Sequence, residues 1–238
     1  EPVMGTVVTI QVVRPGADAA IERAFQRFRE IEERCTRFDG RSELMQLTTH
    51  PGVPVPASVI LCEAVQFALR VAEETGGAFD PTIGRAMEAS GFNREHRTGR
   101  IVRTAISPEA DITYRDVHVD PGRRTITLRR PLILDLGAVA KGLAVDAAAR
   151  ELEPFTDFAI DAGGDLYFGG HDPEGAPWPA GIRHPRLDGQ IIDLVRVSDK
   201  AVCTSGDYER RVRGDGHRHH ILDPRTCASP PALASATV

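Results

Sequence analysis

Lysine is almost missing from this chain: of its 29 basic residues only Lys141 and Lys200 are lysines, and the rest are arginines. That bias by itself carries no functional weight, but a lone lysine beside glycines, as at Lys141 between Gly137 and Gly142, stands out. Excess positive charge is also absent. The formal net charge is −5, which argues against a nucleic-acid binder, because phosphate contacts need a basic surface. No apolar run approaches the roughly 18 residues of a membrane-spanning helix. The four cysteines, at 35, 62, 203 and 227, form no CxxC pair, so a zinc site has little support and they read as buried or free thiols. The GxxxxGK[ST] spacing of a Walker loop and the GxSxG elbow of a serine hydrolase are both missing. Neither an internal repeat nor a low-complexity linker is visible. No signal peptide and no lipobox cysteine can be seen, so the chain as it stands reads as cytoplasmic.

What remains is an ordinary globular composition, 41% hydrophobic and 26% charged over 238 residues, read here as a single domain over residues 1–238. Residues 6–13 (TVVTIQVV) are β-branched and predict a strand. Ile21, Phe25, Phe28, Ile31 and Cys35 recur at helical spacing within 17–38, with Asp18 as a possible cap. Ser58 is placed to cap a second helix carrying Leu61, Val65, Leu69 and Ala72, which Gly76 and Gly77 would stop. A hairpin is expected from 117–119 through Asp120-Pro-Gly to 125–128. Residues 131–135 (PLILD) predict a buried strand feeding a helix from about 137 to 152. Short strands follow at 157–161, 165–168, 191–197 and 201–204, then a hairpin turn at 213–217 and a returning strand at 219–222. Tight turns between neighbouring strands imply antiparallel pairing, so the expected class is α+β, with helices packed on an antiparallel or mixed sheet.

Four segments carry candidate chemistry, each at a junction between elements. In LDLGAVAKG (134–142), Asp135 and Lys141 flank a helix start whose free N–H groups can hold an anion. The same residues also suit a glycine-eased helix entry with a solvated lysine. DAGGD (161–165) is either a tight turn with acidic ends or a backbone nest for a phosphate. In 202–210, Thr204 and Ser205 offer hydroxyls at what is otherwise a strand-end bulge. In HRHHILDPRT (217–226), alternation puts His217 and His219 on one face and His220 on the other, which makes a poor three-histidine cage. His220, three residues before Asp223, has the pattern of an imidazole beside a carboxylate, which suits a general base. Surface histidines on a hairpin are the other reading.

Each segment is weak alone, but their order is specific. MGT (4–6), FDGRSELMQL (38–47), FDPT (79–82), Gly91-Phe92, DLGAVAKG (135–142) with Asp146, DAGGD (161–165), TSGDYER (204–210) and HILDPRT (220–226) follow one another as in the ApbE family, the FAD:protein FMN transferases, and the chain resembles that family along essentially its whole length. The resemblance implies an ApbE-like (T-fold-like) architecture. It also implies that FAD is bound and, with Mg²⁺, that its FMN half passes to a Thr or Ser of a target protein with release of AMP. By resemblance Met4, Phe38, Ser90, Gly91, Phe92, Asp135, Lys141 and Ile221 line the FAD site, the carbonyl of Ala138 is a metal ligand, and His220 is the base for the target hydroxyl. A flavin-binding protein without transfer, or an FAD pyrophosphatase in which water replaces the hydroxyl, is the alternative.

The sequence departs from the family pattern at several places. Phe38 stands where Tyr is frequent, Asp161 where Asn is usual, and Cys227 where the PRTG glycine is expected. Residues 235–238 open a strand in the family, and the Asp and Thr that complete its metal site come later than the last residue here. Many relatives are periplasmic lipoproteins.

Overall fold

The computed structural model describes residues 1–96, 98–106, 111–211 and 218–238. The expected turn at 213–217, His217 included, lies outside that set. In chain order the elements are β1 (Pro2–Val3), β2 (Thr6–Val7), β3 (Thr9–Val12), α1 (Asp18–Cys35), α2 (Glu43–Leu47), β4 (Val55–Pro56), α3 (Val59–Glu74), α4 (Gly84–Ala89), β5 (Val117–Asp120) and β6 (Thr125–Leu128). They continue with α5 (Ala140–Leu152), β7 (Phe158–Asp161), β8 (Asp165–Gly169), β9 (Trp178–Arg183), β10 (Ile191–Val197), β11 (Lys200–Gly206) and β12 (Ser235–Thr237). Among the described residues every strand pair is antiparallel. Helices with antiparallel sheet are the α+β class that the turn pattern predicts.

The chain forms two compact units. The first comprises Glu1–Glu30, Lys141–His219 and Pro231–Val238; the second comprises Ile31–Ala140 and His220–Pro230. The first unit carries a five-stranded sheet in the order β12–β11–β8–β7–β3, with β9–β10 and β1–β2 as separate ribbons. Its core joins Phe168, Trp178, Ala180 and Val202, and the Trp178 indole N–H donates to the Gly169 carbonyl at 2.9 Å. That bond satisfies the one polar atom of an otherwise apolar side chain. The strand expected at 6–13 is interrupted at Val8, giving β2 and β3. The stretch at 235–238 pairs with β11, Thr204 opposite Thr237.

The second unit carries the sheet β4–β6–β5, with α3 against β5 and α2 against β6. Ser58 caps α3 by accepting from Leu61 N–H. At its end Gly76 N–H bonds Glu73 C=O and Gly77 N–H bonds Ala72 C=O, the paired pattern of a Schellman stop. Leu61, Val65, Ala68 and Ala72 are buried, whereas Leu69 is only half-buried. In α1 the buried face is Ala20, Ala24, Phe28, Ile31 and Cys35, so Ile21 and Phe25 flank the stripe. Asp18 lies in the first turn of α1, where its charge favours the helix dipole. Burial pushes the Cys35 thiol up to about 12, which makes it an inert core group.

Two expected strands are absent. Leu132, Ile133 and Leu134 are buried as predicted, as is the following Leu136, but the segment is irregular. Ile133 C=O accepts from Gly84 N–H at 3.2 Å and Asp135 N–H donates to Pro81 C=O at 2.8 Å, so its backbone is spent on the 80–84 loop and not on a strand. Residues 219–222 contribute a single bridge, Arg211 to His219. After it the chain turns at 223–228, where Cys227 N–H bonds Asp223 C=O at 2.8 Å.

Cys227 sits in that turn at φ 53°, in the left-handed region where a β-carbon costs roughly 1–2 kcal/mol. Glycine removes this strain but adds unfolded-state entropy. Cys227→Gly is therefore expected to raise unfolding stability by up to about 1 kcal/mol, read from the chemical-denaturation midpoint. A drop in the midpoint would show that the Cys227 side chain contributes packing that outweighs the strain.

Candidate functional site

Many motif residues build scaffold. Asp80 of FDPT is buried, accepts from Thr82 N–H and Oγ1 at 2.9 and 2.7 Å, and with its other oxygen accepts from Tyr114 N–H at 3.0 Å. This fixes the loop that carries α4 and, through Pro81 and Gly84, the segment ending at Asp135. At the end of α4, Ser90 N–H bonds Ala86 C=O, Gly91 N–H bonds Glu88 C=O, and Phe92 N–H bonds Met87 C=O. Gly91 has φ 87°, which a glycine adopts without penalty. The Gly-Phe pair is thus a helix stop that projects Phe92, and open space surrounds the position where a Gly91 side chain would be.

Three of the predicted residues of the second unit, Phe38, Phe92 and Asp135, are tied together by one side chain that the motifs do not contain, Arg37. Its Nε donates to Asp135 Oδ2 at 2.6 Å, its Nη2 donates to the Phe92 carbonyl, and its guanidinium lies 4.3 Å from the centre of the Phe38 ring. Arg37 is only 5% exposed, and its Nη1 is buried with no hydrogen-bond partner. The other Asp135 oxygen accepts from Gly137 N–H at 2.8 Å and shapes the turn before α5, where Ala138 is exposed. Phe38 and Phe92 are half-buried, so each leaves ring surface uncovered. The only advance signal for Arg37 was its place directly before the aromatic of the 38–47 segment.

His220 and Ile221 are half-buried in the same unit. Asp223, the carboxylate expected beside His220, also holds Arg225. Asp223 accepts from Arg225 N–H at 2.9 Å and from its guanidinium at 3.1 and 3.2 Å, which lowers its pKa. His219 is not a surface histidine but is buried at 5% exposure.

Met4 and Lys141 belong to the first unit. Met4 and Gly5 form the two-residue turn between β1 and β2, both at positive φ, 53° and 74°. This is the hairpin turn whose twist matches the strands, and it places a strained methionine at the tip. Lys141 Nζ is 3.1 Å from Asp165 Oδ2 and donates to Gly163 C=O at 3.2 Å. Asp161 accepts from Gly163 N–H at 2.8 Å, a bond that uses the acceptor an Asn would share. Gly163, at φ 65°, lies so near Thr6 that a β-carbon would come within 1.9 Å of Thr6 Oγ1. The MGT and DAGGD motifs therefore meet. Asp207 of TSGDYER is held by both Arg186 nitrogens at 2.6 and 2.7 Å and by Arg211 at 3.1 Å.

The Arg186 pair pulls the Asp207 carboxyl down to about 2. Since the unfolded value is about 3.9, the unfolded chain binds the extra proton between these limits. The clamp stabilises fully above about pH 4, and its contribution is lost as pH falls towards 2. Asp207→Asn is expected to flatten that part of the acid-unfolding curve, and an unchanged curve would show that solvent screens the pair. Gly163→Ala is expected to destabilise by about 2 kcal/mol or more, as measured by thermal unfolding.

The residues present suit a flavin nucleotide. They offer uncovered aromatic surface, an orphaned buried guanidinium nitrogen and an open helix stop. Mg²⁺ takes one or two protein oxygens together with phosphate oxygens and water. Ala138, whose carbonyl is the expected ligand, lies in an exposed turn. Among the described residues no three His, Cys, Asp or Glu side chains gather as a metal set, and no helix is long and apolar enough to cross a membrane.

Comparison with known proteins points to one family. The ApbE family model matches residues 4–238. A Treponema pallidum protein named FAD:protein FMN transferase is 33% identical over 95% of this chain and 69% of its own length. A Vibrio cholerae protein of the same name is 30% identical over 94% and 70%. The crystal structure of the ApbE protein from Thermotoga maritima superposes with a TM-score of 0.85 at 29% identity, over all of this chain and 79% of that one. The flavin transferase ApbE from Vibrio cholerae gives 0.82 at 27% identity, with the same coverage. In sequence and in fold, the chain belongs to the ApbE family.

Proposed function

We propose that this chain is an FAD:protein FMN transferase that moves the FMN half of FAD onto a Thr or Ser hydroxyl of a target protein. The observation that carries the reading is the family match from residue 4 to 238, with relatives of that name along nearly the whole chain. The Arg37-centred cluster supports it, because it assembles Phe38, Phe92 and Asp135 as a preformed surface for a ring.

The hydroxyl oxygen attacks the FMN-side phosphorus, a new P–O ester bond forms, and the bond from that phosphorus to the bridging oxygen breaks. AMP departs with that oxygen. Such a transfer is governed by positioning and charge neutralisation. Mg²⁺, held by the Ala138 carbonyl, would supply the positive charge on the pyrophosphate. His220 takes the hydroxyl proton, and a base in that role is worth roughly 10²–10⁴-fold. Phe38, Phe92, Ser90, Gly91, Asp135 and Ile221 hold and orient the nucleotide, and the same reading assigns Met4 and Lys141 to it. Asp135 acts through the turn it shapes, since both of its oxygens are already engaged.

The test is incubation with FAD, Mg²⁺ and a flavinylation-competent acceptor domain, followed by intact-mass analysis of the acceptor and chromatography of the nucleotides. FMN on the acceptor with one AMP per transfer is expected. His220→Ala should slow transfer by about 10²-fold or more while leaving FAD affinity within about twofold. FMN and AMP free in solution without acceptor labelling would instead identify a pyrophosphatase, and bound but intact FAD would identify a carrier.

A further inference from the structure

Arg37 belongs to no motif of the sequence reading, yet it holds more of the second unit's candidate residues than any of them. A guanidinium has five N–H donors and cannot give up its proton. Here Nε and Nη2 are used on Asp135 and Phe92, while Nη1 is enclosed with no partner. A buried donor without an acceptor is costly, and proteins keep such atoms where something else completes them. The adjoining surface is aromatic, since Arg37 stacks on Phe38 at 4.3 Å.

We infer that Arg37 is a specificity-determining residue whose Nη1 donates to a neutral acceptor atom on a heteroaromatic ring of the bound nucleotide, with Phe38 beside that ring. This rests on the FAD-binding reading above. The charge balance selects the ring over the phosphates. Asp135 already neutralises Arg37, at 2.6 Å and with both side chains largely enclosed, 5% and 16% exposed, so the pair offers a directed N–H with little net charge for a pyrophosphate. The acceptor is then a carbonyl of the isoalloxazine or a ring nitrogen of the adenine, both neutral acceptors on flat rings. Lysine cannot substitute, because it lacks the planar fork that serves three directions at once.

The experiment measures equilibrium binding of FAD, FMN, ADP and inorganic pyrophosphate to the wild-type protein and to Arg37→Lys and Arg37→Met, with the unfolding temperature of each. At least tenfold weaker FAD binding is expected in both variants, with pyrophosphate changed less than twofold. The loss should be shared by FMN alone if the ring is isoalloxazine, or by ADP alone if it is adenine. A merely structural arginine would weaken all four ligands in step with the fall in unfolding temperature, and that pattern overturns the inference. So does equal FAD affinity in wild type and variants, or a loss concentrated on pyrophosphate. Should Arg37→Met fail to fold, Arg37→Lys keeps the charge and decides by the same ligand pattern. Should both fail to fold, side-chain ¹⁵N spectra of the wild-type arginines decide: a shift of a protected guanidinium with FMN or ADP but not with pyrophosphate supports the inference, and no shift overturns it. Absence of FAD binding by the wild type would instead refute the FAD reading itself.

Discussion

The buried ion pair between Arg37 and Asp135 is the constraint on which the second unit's candidate site depends. An enclosed charge must be paired, and removing one partner of such a pair typically costs about 3–5 kcal/mol. The pair therefore fixes everything attached to it. Asp135 reaches forward to Gly137 N–H and sets the turn that exposes Ala138, while Arg37 reaches across to the Phe92 carbonyl and lies on Phe38. Three segments far apart in sequence, at 37–38, 92 and 135, are held together by one guanidinium. FDPT supports the arrangement from behind, because Asp80 organises the loop whose Pro81 carbonyl receives Asp135 N–H.

This separates two kinds of motif residue that look alike in sequence. Asp80, Thr82, Gly91, Asp161, Gly163, Asp207 and Asp223 spend their polar atoms or their backbone freedom on turns, helix ends and clamps. Phe38, Phe92, Ala138 and His220 retain ring surface, exposure or partial exposure. The first group makes the family recognisable because the scaffold tolerates few alternatives. The second group carries the proposed chemistry.

The fold was legible where a local signal decides the structure. The β5–β6 hairpin follows from Asp120-Pro-Gly, α3 follows from Ser58 and the glycines after it, and β10 has the bounds its β-branched run predicts. Legibility failed where distant partners decide. Residues 131–135 carry the composition of a buried strand, but their backbone bonds go to the 80–84 loop. Residues 219–222 read as the returning strand of a hairpin, yet among the described residues they keep one bridge, Arg211 to His219. The short α2 and α4 and the proline- and glycine-containing β9 gave too little periodicity to predict. Arg37 was not singled out because an arginine beside an aromatic reads as surface until the fold encloses it, and the grip of Asp223 on Arg225 has no signal beyond their closeness in sequence.

The central claim is that this chain binds FAD as a substrate poised for transfer. Its most direct test is a titration of the purified chain with FAD, with and without Mg²⁺, followed by flavin fluorescence. The account predicts saturable binding at one site per chain that tightens when Mg²⁺ is added, as phosphate oxygens and the Ala138 carbonyl share the ion. Failure to bind FAD under either condition would contradict it.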